Sequence, residues 1–257
     1  MTELVATRLT VKAEQALLLD DASVSLTSGE VVAILGSNGA GKTSLLRAIL
    51  GLREVASGSV TLDGREFHSL SAVERAQHIA YLPQRRPLAW PNKVRDVVAL
   101  GRFAHGVSLG RLGPEDSAAV DEAIQSCDLI GLEHRNVLSL SGGELARVHF
   151  ARALATHAPL LLADEPVAEL DPRFQLQIAK LIRKFVDAGG GALVVLHEVA
   201  LAANLADRLI WMHDGHIVAT GAPEETLTSQ TLADVYGVKA HVAKDEHGFD
   251  VRILGFV

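Results

Sequence analysis

Val31-Val32-Ala33-Ile34-Leu35-Gly36-Ser37-Asn38-Gly39-Ala40-Gly41-Lys42-Thr43-Ser44 carries the strongest structural signal in the chain. Its five leading apolar residues, bounded by Gly29 and Gly36, predict a short buried strand, and Lys42–Leu50, closed by Gly51, predicts a helix. Between them, Gly36 to Thr43 fits G-x-x-x-x-G-K-[ST] in the strand–turn–helix setting that the pattern requires. The glycines let the backbone curl so that successive N–H groups face phosphate oxygens, and the helix N-terminus adds partial positive charge. Lys42 supplies a full charge to β- and γ-phosphates, and the Thr43 hydroxyl is placed to ligate Mg²⁺. The alternative is a glycine-rich turn that matches by accident, which a shuffled chain of this length would produce on the order of 1 time in 100.

Leu160-Leu-Leu-Ala-Asp164-Glu165 places two carboxylates at the end of an all-apolar strand. Buried charge is costly unless paired or bound to metal. Beside a phosphate loop, Asp164 would hold Mg²⁺ through water and Glu165 would polarise an attacking water. The alternative is a strand that runs out into solvent and is stopped by Pro166. Ser141-Gly142-Gly143-Glu144 reads as a capping box opening a helix that runs to about Thr156. Two glycines in a first helical turn cost roughly 1 kcal/mol each against alanine. That cost points to something that approaches the backbone closely, and a second anion site is the expectation.

The remaining layout is α/β. Gly58–Leu62 and His78–Leu82 read as strands, with Asp63-Gly64 as a turn. Val94–Arg102 reads as helical, and Gly106 to Gly113 is a glycine-rich loop. A helix starting near Pro114 carries Val120, Ala123, Ile124 and Cys127 on one face, which predicts a core cysteine and not a reactive thiol. Pro172–Val186 carries Phe174, Ile178, Leu181, Ile182, Phe185 and Val186 on one face and stops at Gly189-Gly190-Gly191. Ala192–Leu196 reads as a buried strand, Asp207–His213 and His216–Thr220 as a hairpin around Asp214-Gly215, and Val238–Val257 as one or two strands.

Composition sets bounds on these readings. The 257 residues are 48% hydrophobic and 21% charged, which suits a globular chain with a sizeable core. The net charge of −7 and a pI near 5.9 disfavour a nucleic-acid or anionic-membrane binder. A lone cysteine, Cys127, rules out an internal disulfide and fits a reducing compartment. Met1 to Thr10 lacks a signal-peptide apolar core, and no apolar run approaches the ~18 residues of a membrane span.

Gly36–Thr43, Gln84 in Leu-Pro-Gln, Leu140-Ser-Gly-Gly-Glu144, Asp164-Glu165, Asp171 and His197 follow one another as in ATP-binding-cassette (ABC) ATPases, and the chain resembles that family over nearly its whole length. The resemblance implies a phosphate-loop NTPase (RecA-like) α/β core with an antiparallel β subdomain and an inserted α-helical subdomain. The whole of 1–257 would be one ATPase domain, with 1–84 and 158–220 as core and β subdomain, 85–157 as helical signature subdomain and 221–257 as C-terminal extension. ATP and Mg²⁺ are the implied ligands. Gly36, Ser37, Asn38, Gly39, Ala40, Gly41, Lys42, Thr43 and Ser44 would bind nucleotide, and Thr43, Gln84 and Asp164 would serve the metal. Glu165, His197, Lys42 and Gln84 would carry catalysis, His197 by contacting the γ-phosphate. Ser141, Gly142, Gly143 and Glu144 would act in trans on a second copy in a head-to-tail homodimer, with Asp171 at the dimer contact.

Tyr81 to Pro91, Val94 to Arg102, Leu196-His-Glu and Asp234-Val-Tyr-Gly237 resemble importers of iron–siderophore, haem and cobalamin, and zinc or manganese importers share parts of the pattern. Permease subunits, and indirectly a substrate-binding protein, would then be partners, at the cytoplasmic face of the inner membrane. Trp90 and Pro91 would meet the permease, with packing of Trp90 in a buried helix contact as the equal alternative, and Arg85-Arg86 reads as solvated charge. A soluble cassette acting on nucleic acid or ribosomes, and a non-catalytic nucleotide sensor, are the competing classes. Two departures stand out. Glu144 occupies a position where glutamine is commoner, with little effect expected. No Phe, Trp, Tyr or His precedes Phe67, so the N-terminal sheet offers only Lys12 as an adenine cover where the family usually stacks an aromatic residue.

Overall fold

A computed structural model of the chain describes residues 1–14, 16–84, 92–108 and 111–257. The chain begins with β1 (Glu3–Ala13), β2 (Ala16–Thr27), β3 (Val31–Gly36), α1 (Lys42–Ile49), β4 (Ser57–Leu62), β5 (Arg65–Glu66), α2 (Ala72–His78) and β6 (Ile79–Leu82). There follow α3 (Val94–Ala99), α4 (Pro114–Ser126), α5 (Gly142–Leu154), β7 (Leu160–Asp164), α6 (Pro172–Asp187), β8 (Gly191–Val195) and α7 (Val199–Leu205). The last part holds β9 (Arg208–His213), β10 (His216–Gly221), α8 (Pro223–Thr226), α9 (Ser229–Tyr236), β11 (Val238–Asp245) and β12 (Gly248–Phe256). These elements form two units, one of Met1–Ser69 with Gly191–Val257 and one of Leu70–Gly190.

In the first unit β3 is buried at every residue and lies parallel to β8 and β9, pairing Val31 with Ala192 and Val32 with Arg208. Strands covered on both faces are expected to read as continuous apolar runs, as β3 and β8 do. β10 adds antiparallel to β9 through Asp214-Gly215, where both residues take the left-handed conformation of a tight hairpin. A second sheet runs β2-β1-β4-β5, antiparallel throughout. The two long strands β1 and β2 are hard to read in the sequence because each changes phase. Leu4 and Ala6 are buried and then Leu9 and Val11, and the register shifts between Ala6 and Leu9 as Arg8 turns left-handed. Opposite, Leu19 gives way to Ala22, Val24 and Leu26 across a left-handed Asp21. A bulge inserts one residue and so moves every later side chain to the other parity.

The second unit carries the parallel pair β6–β7, with Ile79 opposite Leu160, and helices α2 to α6. Helix α4 buries Ala119, Val120, Ala123 and Ile124, and Cys127 beyond it is wholly buried, as the spacing predicts. Burial pushes the Cys127 thiol up to about 12. In α6, Ile178, Leu181, Ile182 and Val186 are buried, whereas Phe174 and Phe185 are half-buried. The buried Arg102 guanidinium is held by Asp116 Oδ1 at 2.8 Å and by the Ala155 carbonyl at 2.9 Å, tying the turn after α3 to α4 and to the end of α5. A buried cation is tolerable only with such partners.

Candidate functional site

In the first unit the phosphate loop leaves β3 and enters α1. Gly41 caps α1 with φ 97°, and no side-chain oxygen caps that end. A Cβ on Gly41 would stand 2.6 Å from the Leu18 carbonyl, so glycine is required there by both dihedral and space. The start of α1 thus presents backbone amides and the positive end of its dipole, which suits an anion. Lys42 is buried, its ammonium donating to the carbonyls of Gly36 at 2.7 Å and Ser37 at 2.9 Å. The cation is therefore folded over its own loop. His197 belongs to the same end of the sheet. Ile34 pairs with Val195, and Leu196 N–H donates to the Ile34 carbonyl at 3.1 Å, so the chain leaves β3 as Gly36 and leaves β8 as His197 side by side.

The second unit holds the carboxylates. Asp164 ends β7 fully buried, and Glu165 follows with φ 49°. A left-handed glutamate costs roughly 1–2 kcal/mol, a strain common where geometry serves a site. The Gln84 amide donates to Glu165 Oε2 at 2.6 Å, joining residues 81 apart in sequence. With its nitrogen committed there, the carbonyl oxygen is the atom Gln84 can offer a cation. Within this unit Gln84 and Asp164 thus offer an amide carbonyl and a carboxylate, and in the first unit Thr43 offers a hydroxyl, all oxygen donors of the kind the hard Mg²⁺ ion takes.

Ser141 caps α5 in the expected box. Glu144 N–H donates to Ser141 Oγ at 3.3 Å, and Glu144 Oε2 accepts from Ser141 N–H at 2.8 Å and from Oγ at 2.9 Å. The Ser141 backbone amide, then its hydroxyl, holds the Glu144 carboxyl below the usual carboxylate range. The two glycines have different reasons. A Cβ on Gly143 would collide with the Phe174 ring, whereas one on Gly142 would meet nothing within 4 Å. At Gly143 the close approach to the backbone is made by the Phe174 ring of the same chain, whereas Gly142 lies open. Ser141 and Gly142 are exposed. Asp171 caps α6, its Oδ1 accepting from Phe174 N–H at 3.1 Å. Arg85, Arg86, Trp90 and Pro91 lie outside the described residues. The sequence reading missed Tyr236, whose hydroxyl accepts the Gly36 N–H at 3.1 Å. No local pattern links positions 200 apart.

The sequence profile of the ABC transporter family matches residues 19–168, more than half of the chain. The chain belongs to the ABC transporter family. This ABC ATPase is 40% identical over 242 residues to the hemin import ATP-binding protein HmuV of Pseudomonas putida, covering 92% of this chain and 93% of that one. It is 38% identical over 229 residues to the cobalamin import ATP-binding protein BtuD of Halobacterium salinarum, covering 89% of this chain and 57% of that one. The structure of a metal-chelate type ABC transporter in an inward-facing conformation superposes with a TM-score of 0.84. At 23% identity, over all of this chain and 98% of that one, the likeness speaks to fold alone. The ABC ATPase thus groups with import subunits, and ATP is its nucleotide. No helix among the described residues is long and apolar enough to cross a membrane.

Proposed function

We propose that this ABC ATPase works as a head-to-tail pair of identical chains beneath a membrane permease, energising import of haem, cobalamin or an iron–siderophore complex. The observation that carries the paired reading is the exposed corner of Ser141 and Gly142. A phosphate loop alone supports a generic nucleotide pocket. An outward-facing helix N-terminus with room over Gly142 supports a second phosphate contact made to another copy. Isologous pairing would close the dimer with two equivalent sites.

In this reading residues 1–84 and 158–220 form the nucleotide-binding core, 85–157 the helical signature part and 221–257 an extension. The amides from Gly39 to Ser44 and the Lys42 ammonium bind and orient the β- and γ-phosphates. Glu165 accepts a proton from the attacking water, Gln84 fixes the Glu165 carboxylate, and His197 donates to the γ-phosphate. The partner's Ser141 hydroxyl and Gly142 amide cover the far side. Mg²⁺, held by Thr43, Gln84 and Asp164, would neutralise charge that develops on the phosphates. Cleavage removes the bridge between copies, the pair opens, and the permease converts that motion into alternating access. The names of the relatives support the cargo class, and an ATPase on the cytoplasmic face need never touch the cargo.

The test is co-purification with the permease and binding protein, followed by ATP turnover in vesicles with each cargo supplied. Stimulation by haem, cobalamin or a ferric siderophore is the expected result. Turnover that ignores all three, with no permease retained, overturns the importer reading.

A further inference from the structure

The phosphate loop is anchored at its first residue from the far end of the chain. Gly36 has three fixed neighbours. Its N–H donates to Tyr236 Oη at 3.1 Å, its carbonyl accepts from Lys42 Nζ at 2.7 Å, and a Cβ on it would run into the Met212 carbonyl. The peptide units on either side of Gly36 therefore link Tyr236 to the Lys42 ammonium in one chain of hydrogen bonds. We propose that Tyr236 is a positioning residue for ATP hydrolysis, holding the mouth of the phosphate loop, and through it Lys42, in the geometry that receives the phosphates.

Several features make the anchor rigid. The Tyr236 ring meets Trp211 edge-on, with centroids 6.4 Å apart and planes at 80°. Trp211 is fully buried in β9 and pairs with Leu35, the residue before Gly36. Helix α9 is closed directly after the tyrosine by Gly237 in the left-handed conformation, and the Val257 N–H returns to the Gly237 carbonyl at 3.0 Å. The hairpin β11–β12 that follows is hooked to α7. Asn204 Nδ2 donates to the Phe249 carbonyl at 3.0 Å, and Phe249 N–H donates to Asn204 Oδ1 at 2.7 Å. The helix bearing Tyr236 is thus held on both sides. Burial raises the phenol to about 12, so the hydroxyl stays protonated through the physiological range.

The alternative is a packing tyrosine whose hydroxyl contact is incidental. The inference rests on the nucleotide-binding reading of the loop, and the experiment separates the two. Tyr236→Phe keeps the ring on Trp211 and removes the acceptor, leaving the Gly36 N–H without its partner. Binding of a fluorescent ATP analogue, steady-state hydrolysis and deuterium uptake over residues 33–41 are compared in wild type, Tyr236→Phe and Lys42→Ala. We expect roughly 3- to 10-fold weaker nucleotide binding in Tyr236→Phe, as loss of one hydrogen bond implies. KM for ATP should rise by a similar factor with kcat nearly kept, and exchange at the loop should quicken. Wild-type affinity, KM and exchange in Tyr236→Phe overturn the proposal while Lys42→Ala still loses binding. Absence of binding by the wild type overturns the loop reading and the proposal together. If the variant melts early, the kinetic split decides: a general loss of folded enzyme lowers kcat at constant KM and sinks the idea, whereas a loosened loop raises KM.

Discussion

The Gln84 amide donates to Glu165 Oε2 at 2.6 Å, so the residue proposed to take the water's proton and the residue proposed to fix it touch each other directly. A neutral amide can orient a carboxylate without removing its charge, which a cation in the same place would largely offset. Glu165→Gln should therefore bind ATP, lose about 10²- to 10⁴-fold in turnover as expected for a lost general base, and accumulate closed dimers. Near-normal single-turnover rates in that variant would take the role away from Glu165. Gln84→Ala should slow hydrolysis by a smaller factor with ATP binding nearly kept. In the Glu165→Gln background the same change should add little, because residues acting as a unit are non-additive. Equal effects in both backgrounds would mean that Gln84 acts independently of Glu165.

The signature glycines should part company. Gly143→Ala would press a methyl group into the Phe174 ring, and overpacking of that kind typically destabilises by about 1–3 kcal/mol. Gly142→Ala has open space and should leave the denaturation midpoint nearly unchanged, or raise it slightly through helix propensity. Its effect should fall on ATP-driven pairing and turnover, measured by gel filtration of the Glu165→Gln background and by phosphate release. Gly142→Ala with full pairing and turnover would remove the reason given for the bare position.

The same residues mark what was legible in the sequence. The phosphate loop, the capping box of Ser141 with Glu144 and the acidic end of β7 are local devices, so each could be read from neighbours within a few positions. Cys127 and the buried face of α6 follow from helical spacing. β1 and β2 went unread because bulges at Arg8 and Asp21 break the period-two pattern. α7 begins at Val199 after an N-cap, Glu198, whose side chain makes no capping bond, so Ala- and Leu-rich residues announce no start. The Phe174 ring that makes a side chain at Gly143 costly could not be read locally, because only the fold brings it there. The contact of Tyr236 with Gly36 is wholly tertiary, and Asp234-Val-Tyr-Gly237 reads locally as nothing more than a helix end.

Nucleotide choice should be loose. β1 and β2 are described up to Glu14 and from Ala16, with Ala13 opposite Ala16 at the tip and Lys12 exposed. Neither side chain offers a ring face, and base–aromatic stacking is worth about 1–3 kcal/mol where it has been removed by substitution. GTP should compete with ATP within roughly 10-fold in an equilibrium binding assay. Placing a tyrosine at Ala13 should favour ATP by a factor of several. Strong adenine selectivity in the wild type would point to a base contact supplied from elsewhere in the chain or from the partner.

Cys127 should leave a signature in alkaline stability. Its folded thiol is raised from the ordinary value of 9.0 to about 12, because burial penalises the thiolate. Below pH 9 both folded and unfolded thiols are protonated, and the group contributes no pH slope. Between about 9 and about 12 the unfolded thiol ionises while the folded one does not, so stability falls as pH rises. The stability advantage of wild type over Cys127→Ala should shrink by about 1.4 kcal/mol per pH unit once well above 9. Urea melts of both proteins at pH 8.0, 9.5 and 10.5 isolate that term, since every other titrating group is shared. A gap that stays constant across the three would mean that the thiol is solvated and reactive, and a disulfide-exchange reagent would then label it in the folded protein.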